Sequence, residues 1–131
     1  AQGLYARAMT SAVSDRLADG AADALAGGYT TIVDATFGRS EDRIRFRALA
    51  ASLGVNLCIV YCHAAQNVLR RRISTRQRTR KDPSEATIEV LHWQETQFVP
   101  PARQEASLVL DAAKLSVPQL VRRIARAAAR S

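Results

Sequence analysis

The chain has 131 residues, 47% hydrophobic and 24% charged, with a formal net charge of +7, ordinary values for one globular domain of modest size. No run reaches the ~20 apolar residues needed to cross a bilayer, and the opening AQGLYARAMT has no apolar signal core, so no membrane partner and a cytoplasmic location are expected. The charge is local: residues 70–81, RRRISTRQRTRK, hold seven basic side chains and no acidic one, and the rest of the chain balances twelve against twelve. Such a segment faces solvent or meets phosphate, whether of a nucleotide or of a nucleic-acid backbone.

In chain order, Thr10 and Ser11 offer N-caps to a helix with Val13, Leu17, Ala21, Ala24 and Leu25 at helical spacing, stopped by Gly27 and Gly28. Gly20 weakens that helix without forbidding it. YTTIVDATF is rich in β-branched and aromatic residues and predicts a strand through about Ala35. Ser40 is placed to cap a helix whose first turn holds Glu41 and Asp42, where acids suit the positive end of the dipole, and Gly54 ends it.

A second strand, NLCIVYC, leads to a helix around Val68, Leu69 and Ile73 that runs into the basic segment. Along that strand Cys58 and Cys62 stand four residues apart, roughly 13 Å, beyond the ~7 Å between Cα atoms that a disulfide tolerates. Both are therefore expected to be free, buried thiols. Pro83 interrupts, Ser84 is placed to cap a helix through TIEVLHWQETQF, and Pro100-Pro101 end it. The strand SLVLDA precedes a last helix opened by Ser116 and Pro118. The three apolar runs are near-continuous, as in parallel strands covered by helices. Right-handed crossovers then bring their C-terminal ends, with Asp34, Ala35 and Thr36, His63, and Asp111, to the edge where open α/β sheets bind ligands.

Taken alone, Asp34 is either a loop cap or a carboxylate delivered to that edge. Arg72 and Arg76, four apart, project from one helix face and can each donate paired hydrogen bonds to phosphate; any one of them is equally a solvated side chain. Trp93 and Phe98 suit packing better than base stacking, and His63 and His92 each stand alone, as structural histidines do.

The stretch LAGGYTTIVDATF and the lid-like LRRRISTRQRTRKDPSEATIEVLHWQ, with Leu69, Arg72, Arg76, Asp82, Ser84, Ala86 and Gln94 in an L-x-x-R-x-x-x-R, D-x-S-x-A and Gln pattern, carry a resemblance. From about Leu4 to Asp111 the chain resembles small P-loop kinases of the AAA-type ATPase group, relatives of zeta-toxin and polynucleotide kinases. The resemblance implies an α/β fold with a parallel three-layer sheet of order 2-3-1-4-5. This chain would hold the last three strands and their flanking helices as one domain over 1–131, with a lid-like segment at 70–86. It further implies ATP and Mg²⁺ in the parent protein, Asp34 facing the metal and nucleotide with Thr36 nearby, Arg72 and Arg76 closing catalytically over the phosphates, and Asp111 with residues 112–115 shaping the adenine pocket.

No G-x-x-x-x-G-K-[ST] cradle occurs: the two lysines, Lys81 and Lys114, do not follow glycine. The family's catalytic-base Asp falls before Ala1. The chain is therefore expected to be inactive alone, as part of an ATP-dependent phosphotransferase with a nucleotide partner and an unidentified small-molecule or polynucleotide acceptor. A non-catalytic α/β scaffold and a basic nucleic-acid-binding module are the alternatives. The latter is not favoured for residues 70–81, where no aromatic interleaves the arginines. Residues 74–83 are expected to be the most mobile internal stretch. In this layout residues 31–35 and 57–61 do not pair directly, and the gap between them is expected to be closed by an upstream segment or by a rearranged or intermolecular strand pairing, the latter a strand-paired homodimer.

Overall fold

The computed structural model describes residues 2–79, 87–105 and 108–130, with side chains from Ala8 onward. The lid positions Arg80, Lys81, Asp82, Pro83, Ser84 and Ala86 lie outside the described residues. The elements follow in the order α1 (Gln2–Ala26), α2 (Ser40–Leu53), β1 (Val60–His63), α3 (Gln66–Thr79), α4 (Ile88–Gln97), β2 (Leu108–Asp111) and α5 (Val117–Ala128), a pair of helices before each strand. The α/β class expected from the sequence is the class observed. Residues 1–56 and 57–131 form two compact units.

In the first unit, α1 begins well before Thr10 and Ser11, which lie inside it rather than capping it. Its buried stripe, Ser14, Ala18 and Ala21 with Leu17 half-buried, follows the 3.6-residue period. The small side chains let α2 approach, and Phe46 of α2 completes a core with Ala18 and Ala21 against which Leu17, Val33, Phe37 and Leu49 pack. Gly28 ends α1 in the left-handed region (φ 84°), and Gly54, at φ 64°, donates its N–H back to α2. Both are conformations that an L side chain resists.

Two local expectations change here. Residues 31–35 enter no ladder among the described residues. Their burial still alternates, with Ile32 at 89% exposure and Val33 turned to the core. A strand exists only where a neighbour takes up its N–H and C=O groups, and β-propensity cannot supply that neighbour. Ser40 is the first helical residue, not the cap: Arg39 holds the N-cap position in an extended conformation (φ −103°, ψ 139°).

In the second unit β1 and β2 pair in parallel, with Val60 opposite Leu108, Tyr61 opposite Val109, Cys62 opposite Leu110 and His63 opposite Asp111. The ladder is extended by Leu108 N–H to Ile59 O (3.1 Å) and Ala112 N–H to His63 O (2.8 Å). Leu110 is 1% exposed whereas its neighbour Val109 is 53% exposed, so at this position the sheet buries one face rather than the two predicted from its apolar run. α5 packs against β2 and α3 against α4, the latter pair joined by Gln66 Nε2 donating to Glu95 Oε2 (2.7 Å). Thr87 caps α4, accepting from Val90 N–H. Ser116 caps α5 in a reciprocal box with Gln119, with a proline at the helix start as predicted. Cys58 and Cys62 are free as expected, but neither is buried: Cys58 is half-buried and Cys62 exposed.

Candidate functional site

The predicted site residues fall in both units. In the first, Asp34 and Thr36 are exposed on the segment between α1 and α2. That segment is anchored at its far end. Phe37 takes a positive φ of 45°, costly for a bulky side chain. Its ring meets Phe46 edge-to-face at 5.0 Å, and its carbonyl accepts from Arg43 Nη1 at 2.9 Å. Arg43 is buried at 3% exposure. The helix start is held by Arg39, whose Nε and Nη2 donate to Asp42 Oδ2 and Oδ1 at 2.8 Å each, the forked geometry that suits guanidinium and carboxylate.

The Arg39 hydrogen bonds hold the Asp42 carboxyl below its usual range, against the opposing effect of burial. Ser14 is buried beside it and adds to that lowering, although its Oγ has no partner at hydrogen-bonding distance; the Arg39 fork is the contact that decides. Arg45 also pairs with Asp15, tying α2 to α1. Arg39, Asp42 and Arg43 are residues that sequence reasoning missed as supports of the Asp34 segment. The available signal was an arginine three residues before an acid at a helix start.

In the second unit the C-terminal end of the β1–β2 ladder brings together His63, Asp111 and, from α3, Arg72. Arg72 Nη2 donates to Ala112 O at 3.0 Å, so the helix carrying the predicted phosphate-binding arginines is fastened to the turn after β2. Asp111 Oδ1 accepts from Ala113 N–H at 2.9 Å, and Lys114 N–H and Leu115 N–H both reach Asp111 O at 3.2 Å. The Ala113 hydrogen bond holds the Asp111 carboxyl below its ordinary value. This side chain shapes the 112–115 turn, as short acidic side chains do when they bond their own backbone two residues on. Lys114 stands 3.8 Å from Asp111 Oδ2, too exposed a pair to weigh much.

Arg76 lies one turn beyond Arg72 and is exposed. Tyr61 stacks on Phe98 with ring centroids 5.8 Å apart and meets the His63 ring at 5.7 Å. Phe98 thus packs within the unit, and Trp93 is 55% exposed.

Two further facts bound the chemistry. Among the described residues no three His, Cys, Asp or Glu side chains gather into a metal-holding group, and no helix is long and apolar enough to cross a membrane. Comparison with curated proteins and with solved structures found no match. A family model described as AAA domain matches residues 1–101, spanning the Asp34 segment, the arginines of α3 and the whole of α4. With that match over most of its length, the chain belongs to the AAA domain family, of P-loop NTPase and kinase-like character.

Proposed function

We propose that this chain works as part of an ATP-dependent P-loop phosphotransferase and does not turn over nucleotide by itself. The observation that carries the proposal is the family match across residues 1–101. It is supported by Arg72, which fastens the arginine-bearing helix to the turn at the C-terminal end of the parallel pair, the edge at which α/β sheets bind ligands. Arg76 and Arg72 would stabilise charge on the transferring phosphoryl group, and Asp111 with its turn would border the base.

Mg²⁺, which neutralises phosphate charge when bound, takes one or two carboxylates and fills its remaining positions with water and phosphate oxygens. A single exposed carboxylate at Asp34 with the Thr36 hydroxyl nearby in sequence fits that donor set, and would not fit an all-protein cage. The chain has no G-x-x-x-x-G-K-[ST], hence no backbone cradle or lysine to position a γ-phosphate.

The test is to assay γ-phosphate release and transfer with the 131-residue chain, and again with the chain joined to whatever its gene encodes upstream of Ala1. The chain alone should give none. The joined protein should contain a glycine-rich phosphate loop and turn over, and Arg76→Ala should cost it about 10³-fold or more in kcat, the usual scale for an arginine acting on the transferring group. Turnover by the chain alone would overturn the proposal. An upstream segment without a phosphate loop, together with no response to Mg²⁺-ATP, would put a non-catalytic scaffold in its place.

A further inference from the structure

The +7 charge is divided unevenly between the two units: residues 1–56 carry six basic and six acidic side chains, residues 57–131 thirteen and six. Part of the excess is the arginine-rich α3, but a second part lies on α5, beyond the family match. From residue 112 to the C-terminus there are five basic side chains and no acidic one. Arg122, Arg123 and Arg126 are exposed on α5, and Arg130 is exposed in the turn that closes it. At 3.6 residues per turn Arg122, Arg123 and Arg126 fall within about 100° of the helix circumference and span about 6 Å at helical rise, and Arg130 follows them in the closing turn.

The opposite side of α5 is engaged: Leu120, Ile124 and Ala127 are half-buried where the helix packs against β2. Among the described residues none of the four arginines forms an ion pair. Arg126 gains from the negative end of the helix dipole. Arg122 and Arg123 sit mid-helix and do not, and they repel Arg126 at spacings of four and three. Surface helices ordinarily intersperse the two signs. A one-sided line of unpaired guanidiniums on a rigid rod is complementary to a regular row of phosphates, and binding would release their condensed counterions.

We propose that this arginine stripe of α5 is a sequence-independent binding surface for the phosphate backbone of a nucleic-acid duplex. A duplex fits better than a single strand because no aromatic residue lies between Ala112 and the C-terminus to stack unpaired bases. A lipid surface fits less well, because the same stretch has no aromatic anchor, Leu120 and Ile124 are half-buried within the unit, and the exposed Val117 and Val121 are small side chains on the side of α5 away from the arginines. The surface is independent of the nucleotide site, so it stands or falls separately from the kinase assignment.

The experiment is fluorescence anisotropy of a labelled mixed-sequence 20-bp DNA duplex with the 131-residue chain, titrated from 50 to 200 mM KCl. Four phosphate contacts contribute about −3.6 to the slope of log K against log salt, roughly a 10²-fold loss of affinity over that range. The quadruple variant Arg122→Gln, Arg123→Gln, Arg126→Gln, Arg130→Gln keeps helix propensity and should flatten the slope by about 3.6. The corresponding quadruple lysine variant should keep it within about 1, which separates loss of charge from loss of fold. A slope unchanged in the glutamine variant, no salt-dependent duplex binding, equal or tighter binding to a single-stranded 20-mer, or binding to anionic phosphatidylserine vesicles in preference to the duplex would each overturn the proposal.

Discussion

In residues 1–56 charged side chains are engaged within the unit: Arg39 grips the buried Asp42, Arg43 is buried against Phe37 O, and Arg45 pairs with Asp15 at the surface. In residues 57–131 the surplus positive charge stands outward on α3 and α5, and the buried interior of the unit is a parallel pair centred on Leu110. The first unit uses charge as structure. It has two helices whose contact is built from alanines and one phenylalanine, so ion pairs and a buried guanidinium hold its connecting segment. The second has a ladder to satisfy its backbone, and the exposed arginines of its α5 form no ion pair among the described residues. The comparison teaches that arginine count alone says little about ligand binding, because burial and partners decide whether a guanidinium is a strut or a receptor.

The largest expected break in that comparison is Phe46→Ala. Among the described residues Phe46 is the one large buried side chain of the first unit's core, and its loss removes both the ring's burial and its edge-to-face contact with Phe37. A cost of about 4 kcal/mol is expected. Amide hydrogen exchange followed by mass spectrometry should accelerate across α1 and α2, with β1 and β2 unchanged.

Leu110→Ala should do the reverse, costing about 3 kcal/mol and exposing β1, β2 and α5 while α1 and α2 keep their protection. If either substitution accelerates exchange equally in both units, they unfold as one cooperative body and the division drawn between them fails.

Asp42→Asn is the next in size, about 1–2 kcal/mol, since it removes a charge-assisted fork whose arginine is partly solvated. The pH dependence has a definite sign. Asp42 is held below its ordinary value of 3.8, so the folded unit takes up this proton less readily than the unfolded chain. Its contribution is complete above that ordinary value and is lost as pH falls through the lower folded one. Circular dichroism between pH 5 and pH 2 should therefore show the wild type losing α1 and α2 more steeply than Asp42→Asn, whose deficit is already present at neutral pH. Parallel acid curves would remove the ion pair from the account of this unit.

The smallest effect is expected at Ile32→Thr. A side chain at 89% exposure on a segment outside any ladder should tolerate this change within about 0.5 kcal/mol. A loss above 1 kcal/mol, or one that grows on dilution as measured by sedimentation velocity, would show the 31–35 segment paired with another chain in solution, the homodimer anticipated for its unmatched backbone.

Much of this arrangement was legible residue by residue. Gly28 and Gly54 end helices because left-handed backbone favours glycine, Ser116 with Gln119 and Pro118 opens α5, and the apolar runs ending at His63 and Asp111 became a parallel pair. These depend on local stereochemistry or on a repeated apolar period, and both are written in neighbouring residues. The candidate site was legible less far. The sequence alone named Arg72 and Asp111, but their ties to Ala112 O and Ala113 N–H required the turn after β2 to be in place. Asp34 was named without the Arg39, Asp42 and Arg43 supports beneath it.

What the sequence by itself determined is the presence of the helices, the glycine stops of α1 and α2 and the start of α5, the location of the charge excess and the absence of a phosphate-loop motif. What only the tertiary structure decided is which segment becomes a strand and which arginine is buried. YTTIVDATF has as strong a β signature as NLCIVYC, yet only the latter lies in a ladder, because strand formation is settled by a partner's hydrogen-bonding groups. Likewise Arg43 and Arg122 are the same side chain on similar helices. One is enclosed by the approach of Phe37 and its carbonyl and the other faces water, a difference set by what packs against each helix.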